Sequence, residues 1–167
     1  CEIDGKGLNG YNYKKNIVIN ANNSGTLGRL ILGLLVNTNT KIKIIGDKSL
    51  SKRDFKRVAD PLKKFGVKFK LTNKKNLPLY ILGNEHLKPI KYFENKGSAQ
   101  CKSSVIFAGL RTEGTTIIKA KKSRNHTELL CKYLKLPITL SKKKIMILLK
   151  LKKQKKLNQL IIIFPRT

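Results

Sequence analysis

NNSGTLGRLILGLL, residues 22–35, changes character within a few positions: two asparagines, a serine, a glycine and a threonine lead straight into an oily segment. Leu27, Leu30, Ile31, Leu34 and Leu35 recur at helical spacing, forming one stripe of a helix expected to be buried. Ser24, Gly25 and Thr26 mark its start. Such a start exposes unpaired backbone N–H groups and a partial positive charge, and a glycine there lets an anion approach closely. Ordinary capping by Ser or Thr fits the same residues.

Working outward, TKIKII at 40–45 alternates like a half-buried strand and stops at the turn dipeptide Gly46-Asp47. A helix is expected over 54–65, with Phe55, Val58, Ala59, Leu62 and Phe65 on its face, a kink at Pro61 and Gly66 as its C-cap. Short strands follow at 67–71 and 79–82. The pattern then returns. GSAQ at 97–100 opens a helix running to 110, Gly114 turns the chain, 115–119 alternates as a strand, and 125–136 makes a helix with Leu129, Leu130, Tyr133 and Leu134 inward. Laying 30–35 over 105–110 also places Thr40 on Thr115. A spacing this long exceeds the roughly 20–50 residues of solenoid repeats and points to duplicated subdomains in an α/β fold. Residues 1–140 are expected to form that body. Residues 141–167 read as a lysine-rich tail, either a truncated or frame-shifted end or a membrane-surface helix, although basic and apolar residues do not segregate onto two faces there.

The chain's 167 residues, 40% hydrophobic, supply one ordinary core. A formal charge of +28 fits anionic partners, and it also fits codon drift toward Lys, Asn and Ile in an AT-rich genome. Three cysteines without a C-x-x-C pair argue against a disulfide framework or zinc site and for a reducing cytosol. The two histidines, His86 and His126, lie far apart, so no metal is expected. No apolar run approaches the roughly 20 residues that span a bilayer. The opening at Cys1 without a methionine suggests a fragment.

Each helix start in the repeat is followed, after its strand, by an arginine: Arg53 in SLSKRD and Arg124 in KSRNHTE. A guanidinium offers a planar fork matched to phosphate and carboxylate oxygens. A solvated helix face accounts equally for Arg53 and Arg57, and a loop charge for Arg124. His126 reads as a first-turn polar residue, Glu128 as a capping-box partner of Asn125, and Lys102 as a solvent-facing charge.

NSGTLGRLILGLL, IGDKSLSKRDFKRVADPLKKFGV, GSAQCKSSVIFAGLRTEGTTII and KSRNHTELL, in this order, resemble the 5-enolpyruvylshikimate-3-phosphate synthase family over about positions 5 to 137. SAQCKS and SRNHTE look most like its class II bacterial branch. The resemblance implies the enolpyruvyl transferase fold, an inside-out α/β barrel of βαβαββ-type units, with about two of the three units of one domain in this chain. It also implies transfer of the enolpyruvyl group of phosphoenolpyruvate to the 5-hydroxyl of shikimate 3-phosphate, without metal or redox cofactor, in a cytoplasmic enzyme that is monomeric at full length and inhibited by glyphosate. By the same resemblance Gly25, Thr26, Arg53 and Gln100 would hold phosphoenolpyruvate, with Asn23 shaping the turn. Ser98, Ala99, Gln100 and Arg124 would hold shikimate 3-phosphate, and Arg29 would be structural.

One departure is Asp54, where the family usually has proline; it suits a first helical turn and is expected to compete with substrate for Arg53. The family's first motif and its acid–base carboxylates do not occur in these 167 residues, so this polypeptide alone is expected to show no turnover. Two alternatives are the UDP-N-acetylglucosamine enolpyruvyl transferase, whose mobile-loop signature is missing, and a basic nucleic-acid-binding module. The latter calls for aromatics interleaved with basic residues, whereas aromatics make up 7% and sit mostly on apolar faces.

Overall fold

The computed structural model describes residues 17–143 and 146–152. The first unit contains β1 (Ile17–Asn20), α1 (Gly25–Leu34), β2 (Ile42–Ile45), α2 (Lys48–Ser51), α3 (Lys56–Lys63), β3 (Lys68–Thr72) and β4 (Asn76–Leu82). The second contains β5 (Lys91–Glu94), α4 (Ala99–Leu110), β6 (Thr115–Lys121), α5 (His126–Tyr133), β7 (Ile138–Lys143) and β8 (Met146–Lys152). Their sheets have the orders β1-β2-β4-β3 and β5-β6-β8-β7. In each, the first two strands are parallel and joined through a helix, and the last two form an antiparallel hairpin whose second strand pairs with the middle of the sheet. The tandem repeat is therefore a repeat of topology. The stretch beginning at 141 contributes to β7 and β8, which complete the second sheet; residues 153–167 of the expected tail, and the opening segment with Cys1, lie outside the described residues.

Alternation places one side of each sheet in the core. Ile42 and Ile44 of β2, Leu77, Leu79 and Ile81 of β4, and Ile118 and Ala120 of β6 are buried in one cluster with the helices. Helix α3 buries the residues expected of it, Phe55, Val58, Ala59, Leu62 and Phe65 flanking and lining one face. It begins at Lys56 because the preceding SLS turn closes as the separate short helix α2, capped by Asp47, whose side chain accepts the Leu50 N–H at 2.7 Å. Pro61 sits inside α3 without ending it, and Gly66 follows at φ 100°.

Two helix faces differ from expectation. In α1 the outermost member of the stripe, Leu27, is 42% exposed, while Leu32, Leu35 and Val36 are sealed. The helix is covered on its glycine side: a Cβ at Gly28 would touch the Phe55 ring at 3.2 Å, and one at Gly33 would overlap the Ser104 carbonyl of α4. Small residues let the backbones of α1 and α4 come together, and this decides which face is buried. In α5, Leu129, Leu130 and Tyr133 face outward and Glu128 and Cys131 inward. A charged partner on α4 draws the Glu128 side into the core and so turns the apolar side out.

Helices α1 and α4 run side by side in the same direction. Thr26 meets Gln100, Arg29 meets Ser104 and Asn37 meets Arg111, at sequence separations of 74, 75 and 74. These separations match the 75-residue repeat to within one position, so equivalent or adjacent positions touch and the two N-termini share one end of the molecule.

Candidate functional site: two helix starts and their arginines

Both helix starts are built alike. Ser24 Oγ accepts the Leu27 N–H at 3.0 Å, and Ser24 O accepts that of Gly28. Ser98 Oγ accepts the Cys101 N–H at 3.3 Å, and Ser98 O accepts that of Lys102. Of the donors that a helix start leaves without intrahelical partners, the N–H groups of Gly25 and Thr26 in one case and Ala99 and Gln100 in the other remain at the tip. Glu94, 4% exposed, fixes the approach to α4 by accepting the Ser98 N–H at 2.7 Å.

Gln100 joins the two starts. Its Oε1 accepts from Arg29 Nη1 and its Nε2 donates to Thr26 Oγ1, each at 2.9 Å. A cleft of about 200 Å3 opens there, lined by Thr26, Ala99, Gln100, Ser103, Arg124, His126 and neighbouring residues. Ser98, the α4 cap, immediately precedes Ala99 and is not among the residues that line this cleft. Gly25 and Arg53 are not among the residues lining this cleft either; they meet at Arg29, where a Cβ on Gly25 would come within 2.9 Å of Arg29 Nη1 and 3.1 Å of Arg53 Nη1. The absent side chain is the space the two guanidinium groups occupy.

The fold sets Arg53 there through its backbone. Its N–H donates to Leu50 O at 3.0 Å, and Asn76 of β4 donates to the carbonyls of Lys52 and Arg53. Asn23 bonds Asp47, tying the loop before α1 to the loop before α2. The Leu50 N–H first, and Asn23 second, hold the Asp47 carboxyl below the usual carboxylate range. Asp54, one residue before the Phe55 N-cap, accepts the Arg57 N–H at its Oδ1 at 3.3 Å, so its carboxylate reaches the first turn of α3. Arg29 stacks on Phe55, 5.1 Å from the ring centroid, and reaches the Asp54 carbonyl at 3.4 Å. Burial lowers the Arg29 pKa; Cys101 opposes this, and the charges of Arg53 and Arg57 add to it. Three cations crowded at a helix start make a local field that a dianion would relieve.

Two residues differ from their reading in the sequence. Lys102 is fully buried and pairs with Glu128, Nζ to Oε1 2.6 Å. Glu128 is thus a core ion, and Asn125 makes no side-chain cap bond. Ser123 was missed: its Oγ is buried without a hydrogen-bond partner beside Arg124. Its place in KSRN carries no periodic signal, and only its orphaned hydroxyl marks it. Among the described residues no cluster of His, Cys, Asp and Glu could hold a metal, and no helix is long and apolar enough to cross a membrane.

Comparison with known proteins bears on this geometry. The family model for EPSP synthase (3-phosphoshikimate 1-carboxyvinyltransferase) matches residues 2–163. The chain belongs to the EPSP synthase family. The 3-phosphoshikimate 1-carboxyvinyltransferase of Caldicellulosiruptor bescii is 44% identical over 118 residues, 70% of this chain and 27% of the relative. The enzyme of that name from Streptococcus pyogenes serotype M2 is 43% identical over 128 residues, 75% of this chain and 30% of the relative. The solved EPSP synthase of Acinetobacter baumannii superposes with a TM-score of 0.75 at 33% identity, covering 84% of this chain and 31% of that one. The enolpyruvyl transferase NikO of Streptomyces tendae, TM-score 0.52 at 17% identity over 74% of this chain and 29% of that one, shares the fold. The fold is thus the enolpyruvyl transferase fold, and this EPSP synthase family chain spans under a third of the length of these relatives.

Proposed function

We propose that this chain is the part of an EPSP synthase that holds the phosphates of its two substrates, and that the whole protein transfers the enolpyruvyl group of phosphoenolpyruvate to the 5-hydroxyl of shikimate 3-phosphate, releasing phosphate. The single observation carrying this reading is the shared end of α1 and α4, where Gln100 bridges two helix starts that each keep two backbone donors at the tip. Gly25, Thr26, Arg53 and Gln100 would receive phosphoenolpyruvate. Ser98, Ala99, Gln100 and Arg124 would receive shikimate 3-phosphate, and the Ser123 hydroxyl, buried without a partner beside Arg124 in the sequence, would be a further donor for it. Both ligands carry a phosphate and a carboxylate, matching helix starts and guanidinium forks. The chemistry calls for general acid–base transfer and charge stabilisation in a closed cleft, with neither metal nor redox cofactor. The reading places the enzyme in the cytoplasm, as a monomer, working on these two metabolites without nucleic acid or membrane.

Calorimetric titration with shikimate 3-phosphate tests it. The expected result is saturable binding that Arg124→Ala weakens by about tenfold or more, the loss of a charge-assisted fork. Equal or tighter binding of UDP-N-acetylglucosamine, or no binding of shikimate 3-phosphate, would end the proposal.

A further inference from the structure

Lys102 and Glu128 form an ion pair sealed between α4 and α5, 0% and 1% exposed. The ammonium also donates a hydrogen bond to the Arg124 carbonyl at 3.1 Å. Both Glu128 carboxylate oxygens are buried and make no hydrogen bond, so the carboxylate is held by charge rather than by a network. At the adjacent residue on each helix, the Ser103 and Thr127 hydroxyls meet at 2.7 Å and tie the same two helices at the edge of the cleft. Taking two charges out of water seldom gains stability over an apolar pair of the same volume, so packing alone gives no reason for this pair. Its position gives one. The ammonium holds the Arg124 carbonyl inward, which fixes that peptide plane, while Arg124 itself lines the cleft.

We infer that Lys102, anchored by Glu128, is a positioning residue: it sets the backbone of the loop at 122–125 so that the Arg124 guanidinium stands over the start of α4, ready for an anionic ligand. This rests on the reading of the cleft as a shikimate 3-phosphate site. Lys102 touches no ligand and acts through Arg124. Glu128 keeps the ammonium charged and in place.

The test uses the full chain and the double substitution K102M/E128Q, which removes both charges at similar volume and leaves neither ion unpaired. Its melting temperature should stay near that of the parent. Its affinity for shikimate 3-phosphate should fall about tenfold or more, as expected when a binding group is displaced by an ångström or so. Amides at 122–125 should exchange with solvent faster, while those of α4 and α1 do not change. Unchanged affinity, or unchanged exchange at 122–125, would overturn the inference. If the parent chain binds no shikimate 3-phosphate, the functional reading fails, and the exchange of the loop still decides whether Lys102 positions it. If the double variant does not fold, the unmodified chain labelled with nitrogen at lysine serves instead. The Lys102 ammonium signal should exchange slowly and shift on addition of shikimate 3-phosphate; a resonance that stays still at saturation would overturn the inference.

Discussion

Gly25 shows how a single missing side chain shapes a site: the two guanidinium groups over it occupy the volume a methyl group would take. Gly25→Ala should leave the fold intact, because alanine favours the helix by up to about 1 kcal/mol. It should displace Arg29 or Arg53 and weaken phosphoenolpyruvate binding about tenfold. Calorimetry on parent and variant, together with melting curves, separates the two effects; undiminished affinity would show that the arginines relocate freely. Cys131 offers a second measurement. Burial, and then the Glu128 charge, raises its pKa from an ordinary 9.0 to about 11. A raised pKa means that the folded state favours the neutral thiol. Its contribution to stability is complete below pH 9.0 and is lost as pH rises through about 11. Iodoacetamide at pH 8 should therefore leave Cys131 unmodified in the folded chain and label it after denaturation. Residues of this kind were legible in the sequence where their chemistry is local: Ser24 and Ser98 are caps wherever a helix follows them. Lys102 was not legible, since a lysine looks the same whether it faces water or a carboxylate on another helix.

At the scale of the element, the contact of α1 with α4 holds the two helix starts together. It depends on small residues along α1. Gly33→Ala would drive a methyl group into the Ser104 carbonyl, and the backbones must separate to admit it. A loss of about 1–3 kcal/mol is expected, in the range of overpacked cores. Leu27→Ala, on the residue that opens the apolar stripe yet is 42% exposed, should change stability by less than about 0.5 kcal/mol. Urea midpoints of the two variants would check the contrast, and equal losses would contradict the assignment of the buried face. Periodicity found α1, α3, α4, β2 and β6, because their patterns repeat within a few residues. It misjudged the faces of α1 and α5, because a helix with apolar residues on several sides, or a charged residue bound inward, has no single stripe to read. The strands β7 and β8 went unnoticed within and just before the lysine-rich stretch, and so did β1 and β5. β1 and β5 are four residues long and sit at sheet edges, so they carry little alternation.

For the whole molecule, a net charge of +28 means that folding brings many lysines closer together. Self-repulsion of this kind is screened by salt, with a Debye length of about 30 Å at 0.01 M and about 8 Å at 0.15 M. The melting temperature should therefore rise between these two sodium chloride concentrations. Replacing chloride with phosphate at equal ionic strength should raise it further, because phosphate also fits the helix starts; identical curves in the two salts would count against anion binding at those starts. The +28 charge, the caps, the apolar periods and the tandem recurrence of helix, strand and turn are properties of neighbouring residues, and reading the chain in order recovers them. So did the blocks that resemble the EPSP synthase family. Which equivalent positions would touch, that Gln100 would span the two repeats, that Ser123 would lose its partners and that Lys102 would find Glu128 are outcomes of packing. They depend on how closely two backbones some 75 residues apart approach one another, a distance set by volumes and buried charges summed over both units rather than by any local pattern.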